Sequence, residues 1–193
     1  MIEHLSGRLI EKNPTHIVIE CGGVGYFVNI SLNTYAAIPD QEALKIYTHL
    51  QVREDAHTLF GFYTPGEREI FRLLLSVSGV GASTARTMLS SMTPAQIRDA
   101  IASGDVPSIQ AVKGIGAKTA QRVILDLKDK VLKVYDLEEV SPRTDNTTKD
   151  EALSALEVLG FARKQSEKVV DAVVAQDPSL SVEGILKHAL KNL

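Results

Sequence analysis

The sequence predicts a multidomain α+β chain with four segments: an N-terminal five-stranded β-barrel of the OB type over residues 1–63, an all-α duplicated domain over 64–134, a flexible linker over 135–149 and a C-terminal three-helix bundle over 150–193. Three observations carry that reading. Apolar residues alternate with a period of two up to residue 63 and with a helical period from Pro65 onward. A polar stretch then interrupts the pattern before the last 44 residues. Within the helical region a single phrase occurs twice: Ser78-Gly79-Val80-Gly81-Ala82-Ser83-Thr84-Ala85 returns 35 residues later as Lys113-Gly114-Ile115-Gly116-Ala117-Lys118-Thr119-Ala120, identical at five of eight positions.

The barrel comes first. Ile2–Glu11, Thr15–Glu20, Val24–Ser31, Leu44–Val52 and His57–Tyr63 are rich in branched and aromatic residues and predict strands. Asn13-Pro14, Gly22-Gly23, a short segment Asn33–Ile38 and Arg53–Ala56 separate them. Val24, Tyr26, Val28 and Ile30 fall on one face, as do Leu44, Ile46, Leu50 and Val52. Five strands in so short a span suit a closed barrel, because closure removes exposed edges.

From Pro65 the pattern turns helical, with Ile70, Phe71, Leu74 and Leu75 forming an apolar stripe. Thr93-Pro94-Ala95-Gln96 has the form of a capping box and predicts a helix from Pro94 to Ser103, ending near Gly104. The two glycine phrases bracket that helix, and the second opens the long run Lys118–Val134. A Gly-x-Gly turn that opens a helix leaves several backbone N–H groups pointing outward with the helix dipole behind them, which makes an anion site. Two such sites in one domain point to two phosphates of a nucleic-acid backbone. Nucleotide-binding motifs fit worse. A Rossmann fingerprint needs a third glycine, where this chain has Thr84 and Thr119. A P-loop needs glycine directly before its lysine and again five residues earlier, where Ala117 and Val112 stand.

Residues 135–149 hold few apolar side chains and many turn formers, which predicts a linker. After it, Leu153/Leu156/Leu159, Val169/Val170/Val173 and Ile185/Leu186/Ala189/Leu190 mark three short amphipathic helices. A domain this small is marginal alone and often docks a partner.

Composition bounds the function. The net charge of −3 is unevenly spread: residues 1–63 carry four basic and seven acidic groups, whereas 64–135 carry ten and six. Residues 136–150 carry two and five, and 151–193 carry five and six. The positive excess thus sits with the glycine phrases, where phosphate binding needs it. The single cysteine, Cys21, has no partner for an internal disulfide, and His4, His16, His49, His57 and His188 show no ligand spacing, so neither a metal nor a cofactor is expected. No apolar run approaches the roughly 18 residues of a membrane span, and Met1-Ile2-Glu3-His4 lacks the basic and apolar regions of a signal peptide. A cytoplasmic protein is expected.

Barrel, paired glycine turns, polar linker and three-helix tail, in that order, resemble the RuvA family, the junction-recognition subunits of the bacterial Holliday-junction branch-migration complex. The resemblance covers the whole chain. It rests on Gly22-Gly23-Val24-Gly25-Tyr26, on Val52-Arg53-Glu54-Asp55-Ala56 with Gly61-Phe62 after it, on Gly79-Val80-Gly81 and Gly114-Ile115-Gly116, and on Leu159-Gly160-Phe161. The two glycine phrases are similar to the family's helix-hairpin-helix motifs.

That resemblance implies a non-catalytic, sequence-independent binder of four-way junction DNA in recombination, DNA repair and the SOS response. It implies a homotetramer, one or two per junction, that targets a RuvB-type hexameric ATPase and works alongside a junction resolvase. Carried over by residue, Gly79, Val80, Gly81, Gly114, Ile115 and Gly116 present backbone N–H groups, and Ser83, Lys118, Thr119 and Arg122 add side-chain contacts. Ser83 departs from the lysine common in the family, and Arg86 is a candidate to restore that charge. Glu54 and Asp55 match the family's acidic pin at the tetramer centre, and Leu156, Leu159, Phe161 and Leu190 match its motor-binding positions, with Phe161 the expected exposed anchor. Two rivals remain. A helix-hairpin-helix glycosylase or lyase needs a catalytic acid, for which Asp126 and Asp129 are available, although they lie in a continuous helical run. A generic single-strand-binding OB module would stack bases on Tyr26, Phe27, Tyr47, Phe60 or Phe62.

Overall fold

The computed structural model describes residues 2–131, 148–177 and 180–192. These form two compact units, one holding the described residues up to 131 and the other those from 148 onward. In the first unit, strands β1 (His4–Asn13), β2 (His16–Cys21), β3 (Val24–Ile30), β4 (Ala43–Val52) and β5 (His57–Phe62) close into a barrel in the order β1-β2-β3-β5-β4. Only β3 and β5 run parallel, and a bulge in β1 between Leu9 and Glu11 shifts its register on β2. The predicted strands thus stand within one or two residues of their ends.

Leu5, Ile17, Ile19, Val28, Ile30, Leu44 and Ile46 fill the barrel interior together with Ile38. The alternation breaks at the strand ends. Val24 and Val52 are exposed because they sit at the turn ends of their hairpins, past the packed core. Thr48 is the buried residue between Ile46 and Leu50, and its hydroxyl is satisfied by the carbonyl of Ile2 at 2.7 Å. The segment 33–38, read from sequence only as a break between strands, is a helix, α1 (Leu32–Ala37). Six residues are too few to show a period, but Ser31 caps them by accepting from the Thr34 N–H at 2.9 Å.

Helix α2 (Pro65–Leu75) begins at Thr64, whose hydroxyl accepts from the Glu67 N–H, with Pro65 in the first turn. Its Phe71 is fully buried, with ring centroids 5.2 Å from Phe60 and 4.8 Å from Phe62 of β5. His49 of β4 meets the same ring edge-on at 5.4 Å, and burial together with the charges of Arg72 and Arg68 pushes its pKa below the ordinary value. One continuous core therefore runs from the barrel into the helices, through Ile70, Leu74, Met88, Leu89, Ile97, Ile109, Val123 and Leu127. The expected boundary at 63/64 coincides with the change from strand to helix, and the two segments pack against each other across it.

Helices α3 (Ala82–Ser91), α4 (Pro94–Ser103), α5 (Val106–Gln110) and α6 (Ala117–Val131) complete the unit. The capping box at α4 is present in both directions, Gln96 N–H to Thr93 Oγ1 at 3.2 Å and Thr93 N–H to Gln96 Oε1 at 2.9 Å. Helix α5 was not expected from the sequence. It is a single turn capped by Asp105, which accepts from the Ser108 N–H.

Most of the expected linker, 135–147, lies outside the described residues, but Thr148 and Lys149 already belong to α7 (Thr148–Val158). With α8 (Arg163–Gln176) and α9 (Val182–Ala189) this helix packs around Leu153, Leu156, Val170, Val173, Ile185 and Ala189, the three-helix bundle foreseen from the periodicity. No helix among the described residues is long and apolar enough to cross a membrane.

One buried carboxylate ties the barrel to the helices. Glu67 is 3% exposed and lies 2.6 Å from Ser31 Oγ and 2.7 Å from Thr34 Oγ1, while the Tyr63 N–H donates to it at 3.4 Å. Burial raises its pKa above the ordinary value of 4.5, against the lowering effect of those hydrogen bonds. Above pH 4.5 the native state thus holds a proton that the unfolded chain has released. Its contribution to stability is full below that pH and is lost as pH rises through the native pKa. Glu67→Gln keeps a neutral group among hydroxyls that can donate or accept. Urea unfolding over about pH 4 to 8 should show the Gln variant gaining on the native chain as pH rises; a pH-independent difference would contradict the assignment.

Candidate nucleic-acid interface

The two glycine phrases adopt one geometry. Gly79 and Gly114 have φ of 93° and 91°, a conformation that L side chains rarely adopt. The next residue turns inward in each copy: Val80 and Ile115 are both 6% exposed. Their N–H groups donate back to Val77 O at 3.0 Å and Val112 O at 3.1 Å. The helix then starts identically, with Ala85 N–H to Gly81 O and Ala120 N–H to Gly116 O, both at 2.9 Å. The sequence duplication is a structural duplication.

This geometry corrects the expected donor set. The N–H groups of Val80 and Ile115 are spent on closing their own turns, so these residues anchor the motif from within and present nothing outward. The outward donors are the first-turn amides of α3 and α6, which include those of Ala82 and Ser83 and of Ala117 and Lys118; helix geometry gives them no acceptor within the helix. The signal was available in the sequence, since any helix start exposes its first four amides.

The two copies lie side by side. A shallow cavity of about 330 Å³ is lined by Ser78 and Gly79 of the first and by Lys118, Thr119 and Arg122 of the second. Lys118 and Arg122 are exposed one helical turn apart and make no ion pair with any described residue. Ser83, the neutral residue of the first turn, is exposed on α3. Arg86 is half-buried on α3 and keeps its charge, with one amine turned to the barrel. Its Nη1 donates to Asn29 Oδ1 at 3.0 Å and to Thr15 O at 3.5 Å, toward the barrel. Arg68 and Arg72 are likewise engaged, both with Glu3 and Glu69. Lys113, Lys118 and Arg122 are thus the exposed cations at the turns.

Family models match along the chain: the RuvA N terminal domain over residues 1–61, the SAM-like helix-hairpin-helix tandem over 71–129 and the RuvA C-terminal domain over 148–193. The whole chain is 65% identical to the Holliday junction branch migration complex subunit RuvA of Christiangramia forsetii and 62% identical to that of Flavobacterium psychrophilum, each over 193 residues and the full length of both proteins. The protein of that name from Bacteroides fragilis is 44% identical over 202 positions, again covering both chains fully. The chain belongs to the RuvA family.

In this RuvA-family chain Glu54 and Asp55 stand exposed in the tight loop joining β4 to β5, closed by the Arg53 N–H to Ala56 O at 2.9 Å. In the tail, the four expected docking residues divide. Leu156 is fully buried in the bundle core and has no surface to offer. Phe161 is half-buried rather than an exposed anchor. Helix α7 ends on Gly160 with φ of 96°, the Gly160 N–H reaching Glu157 O and the Phe161 N–H reaching Leu156 O, both at 3.0 Å. That closure folds the residue after the glycine back onto the core. Leu159 and Leu190 are exposed, as is Val158, at 88%. The sequence reading missed Val158, though it lies off the Leu153/Leu156 stripe and was legible as surface on that ground.

Of the aromatics the single-strand reading would use, Phe60 and Phe62 are core residues, Tyr26 and Tyr47 are half-buried and Phe27 is exposed; Asp126 and Asp129 sit exposed within α6. Among the described residues no cluster of three or more His, Cys, Asp or Glu could hold a metal ion.

Gly79→Ala and Gly114→Ala each force a side chain into a positive-φ position and should each cost about 1–2 kcal/mol of unfolding free energy. Because the two turns match, the losses should be equal within error in urea titrations. A neutral Ala at either position would contradict the geometry.

Proposed function

We propose that the chain is a structure-specific subunit that grips the phosphates of a four-way DNA junction and guides an ATP-driven translocase for branch migration. It works as a homotetramer, singly or paired on one junction. The observation that carries this reading is the bare start of α3 and α6. Helices α1, α2, α4 and α5 are capped by the side chains of Ser31, Thr64, Thr93 and Asp105. Helix α3 has Gly81 at its cap and no side-chain hydrogen bond, and Gly116 holds the same place at α6. Neither glycine has a positive φ, and a Cβ added at either would meet no atom within 4 Å. Glycine is a tolerated cap that leaves the helix start bare of any side chain, and an anion that must approach the first-turn amides gains from that bareness.

Phosphate contacts position DNA without reading sequence, so selectivity for a junction has to come from geometry and from repulsion. The exposed Glu54 and Asp55 supply the repulsion. Four copies gathered at a tetramer centre place eight carboxylates where strands cross, which opposes coaxial stacking and disfavours an ordinary duplex. The glycine phrases lack P-loop spacing, and ATP turnover is left to a RuvB-type hexameric partner. Leu159, Leu190 and Val158 of the tail offer the apolar surface for docking it. A junction resolvase then acts on the DNA so presented, in the cytoplasm.

Gly81→Ala and Gly116→Ala should weaken junction binding by more than their loss of a favourable cap residue lowers stability, read by urea titration and junction binding side by side. Lys118→Ala and Arg122→Ala should flatten the salt dependence, each by about 0.9 in the log–log slope for every phosphate that is no longer neutralised. An unchanged slope in both would contradict the phosphate role. Glu54→Gln combined with Asp55→Asn should tighten linear-duplex binding, and no change there would count against the pin.

A further inference from the structure

Helix α1 and its flanks make a bracket that grips α3 along one side. Asn33 Nδ2 donates to Leu89 O at 2.6 Å and to Met92 O at 2.9 Å, capping the C-terminal end of α3 from outside the helix. The neighbouring Leu32 N–H donates to Ser90 Oγ at 3.2 Å, and that hydroxyl donates on to Arg86 O at 2.8 Å. Arg86 returns the connection through Asn29 Oδ1, whose own Nδ2 is held by Leu59 O at 3.3 Å, so the amide cannot present its other face. Ser31 and Thr34, on the same short stretch, hold Glu67 of α2.

The core also holds α3 through the buried Ala85, Met88 and Leu89, but apolar contact is non-directional. Hydrogen bonds to main-chain carbonyls are directional. Helix α3 has 10 residues and is about 15 Å long, so a small rotation about its held end is amplified at the other end, where its first-turn amides lie.

We propose that Asn33 is a positioning residue for junction selectivity: it fixes the angle between the barrel, which carries the Glu54-Asp55 loop, and the first glycine turn at the start of α3. This rests on the DNA-binding reading above. It assigns selectivity to the register between the grips and the pin, not to either alone. Asn33 touches no DNA in this scheme.

The test has two arms in the full-length chain. In the first, spin labels at Val24→Cys in the barrel and Ser83→Cys at the start of α3, in a Cys21→Ser background diluted with unlabelled chain, report the barrel-to-α3 distance distribution without DNA. Asn33→Ala should broaden it while circular dichroism and native mass stay unchanged. In the second, the ratio of junction to linear-duplex affinity at matched salt should fall on the order of tenfold in Asn33→Ala. It should fall further in Asn33→Asp, which sets a carboxylate against two carbonyls, and less in Asn33→Ser, which keeps one donor. An unchanged distribution and an unchanged ratio in Asn33→Ala overturn the proposal, as does an Asp variant that matches the native chain. If Asn33→Ala does not fold, Ser90→Ala removes the Leu32 contact together with the hydroxyl's own bond to Arg86 O, and should move both readings in the same direction; its failure to move either also overturns the proposal. A native chain without junction preference overturns the functional reading, and the DNA-free arm then decides the bracket by itself.

Discussion

Phe71 is the point on which the rest depends. It sits on α2 but its ring packs among Phe60, Phe62 and His49 of the barrel, fully withdrawn from water. Burying an aromatic of this size stabilises by roughly 1.5–3 kcal/mol, and a truncation here opens a cavity at the seam between strands and helices. Across that seam Phe60 and Phe62 of the barrel join the core of the duplicated helices, beside the barrel's own interior. The chain can then relate two chemically opposite features, an acidic loop at one end of β4 and β5 and a pair of basic, amide-rich turns on the helices.

Those turns are built by contrast with their surroundings. Side-chain caps close the other helix starts of the unit that carry them, while glycine leaves α3 and α6 open. Val80 and Ile115 supply the rigidity that a glycine-rich loop lacks, each pinned in the core and hydrogen-bonded to the preceding turn. Lys118 and Arg122 of the second copy line one shallow cavity with Ser78 and Gly79 of the first. Spacing two donors by a fold rather than by a flexible loop is what lets phosphate contacts, which carry no sequence information, discriminate shape.

Much of this was legible in the sequence, for identifiable reasons. Strand alternation, the Thr93/Gln96 box, Pro65 in the first turn of a helix and the repeated phrase are all local signals, and each stands in the structure. What stayed hidden was short or non-local. Helix α1 is six residues long and has no period to show, and its importance comes from partners more than fifty residues away. Nothing near Arg86 in sequence announced Asn29 as an acceptor for one of its amines. Phe161 looked like an exposed anchor until the closure at Gly160 folded it back on Leu156. Val158 shows the opposite failure: attention to the apolar stripe passed over the residue outside it.

The central claim is that two fixed phosphate grips set against an acidic loop make a binder of junction shape rather than of DNA in general. The most direct measurement is parallel titration of the full chain with a synthetic four-way junction, a linear duplex and a single strand of matched length and salt, with native mass spectrometry of each complex. The account predicts a tetramer, or a pair of tetramers, bound to the junction with a clear preference over both other forms. Equal affinity for all three, or binding by a monomer, would contradict it.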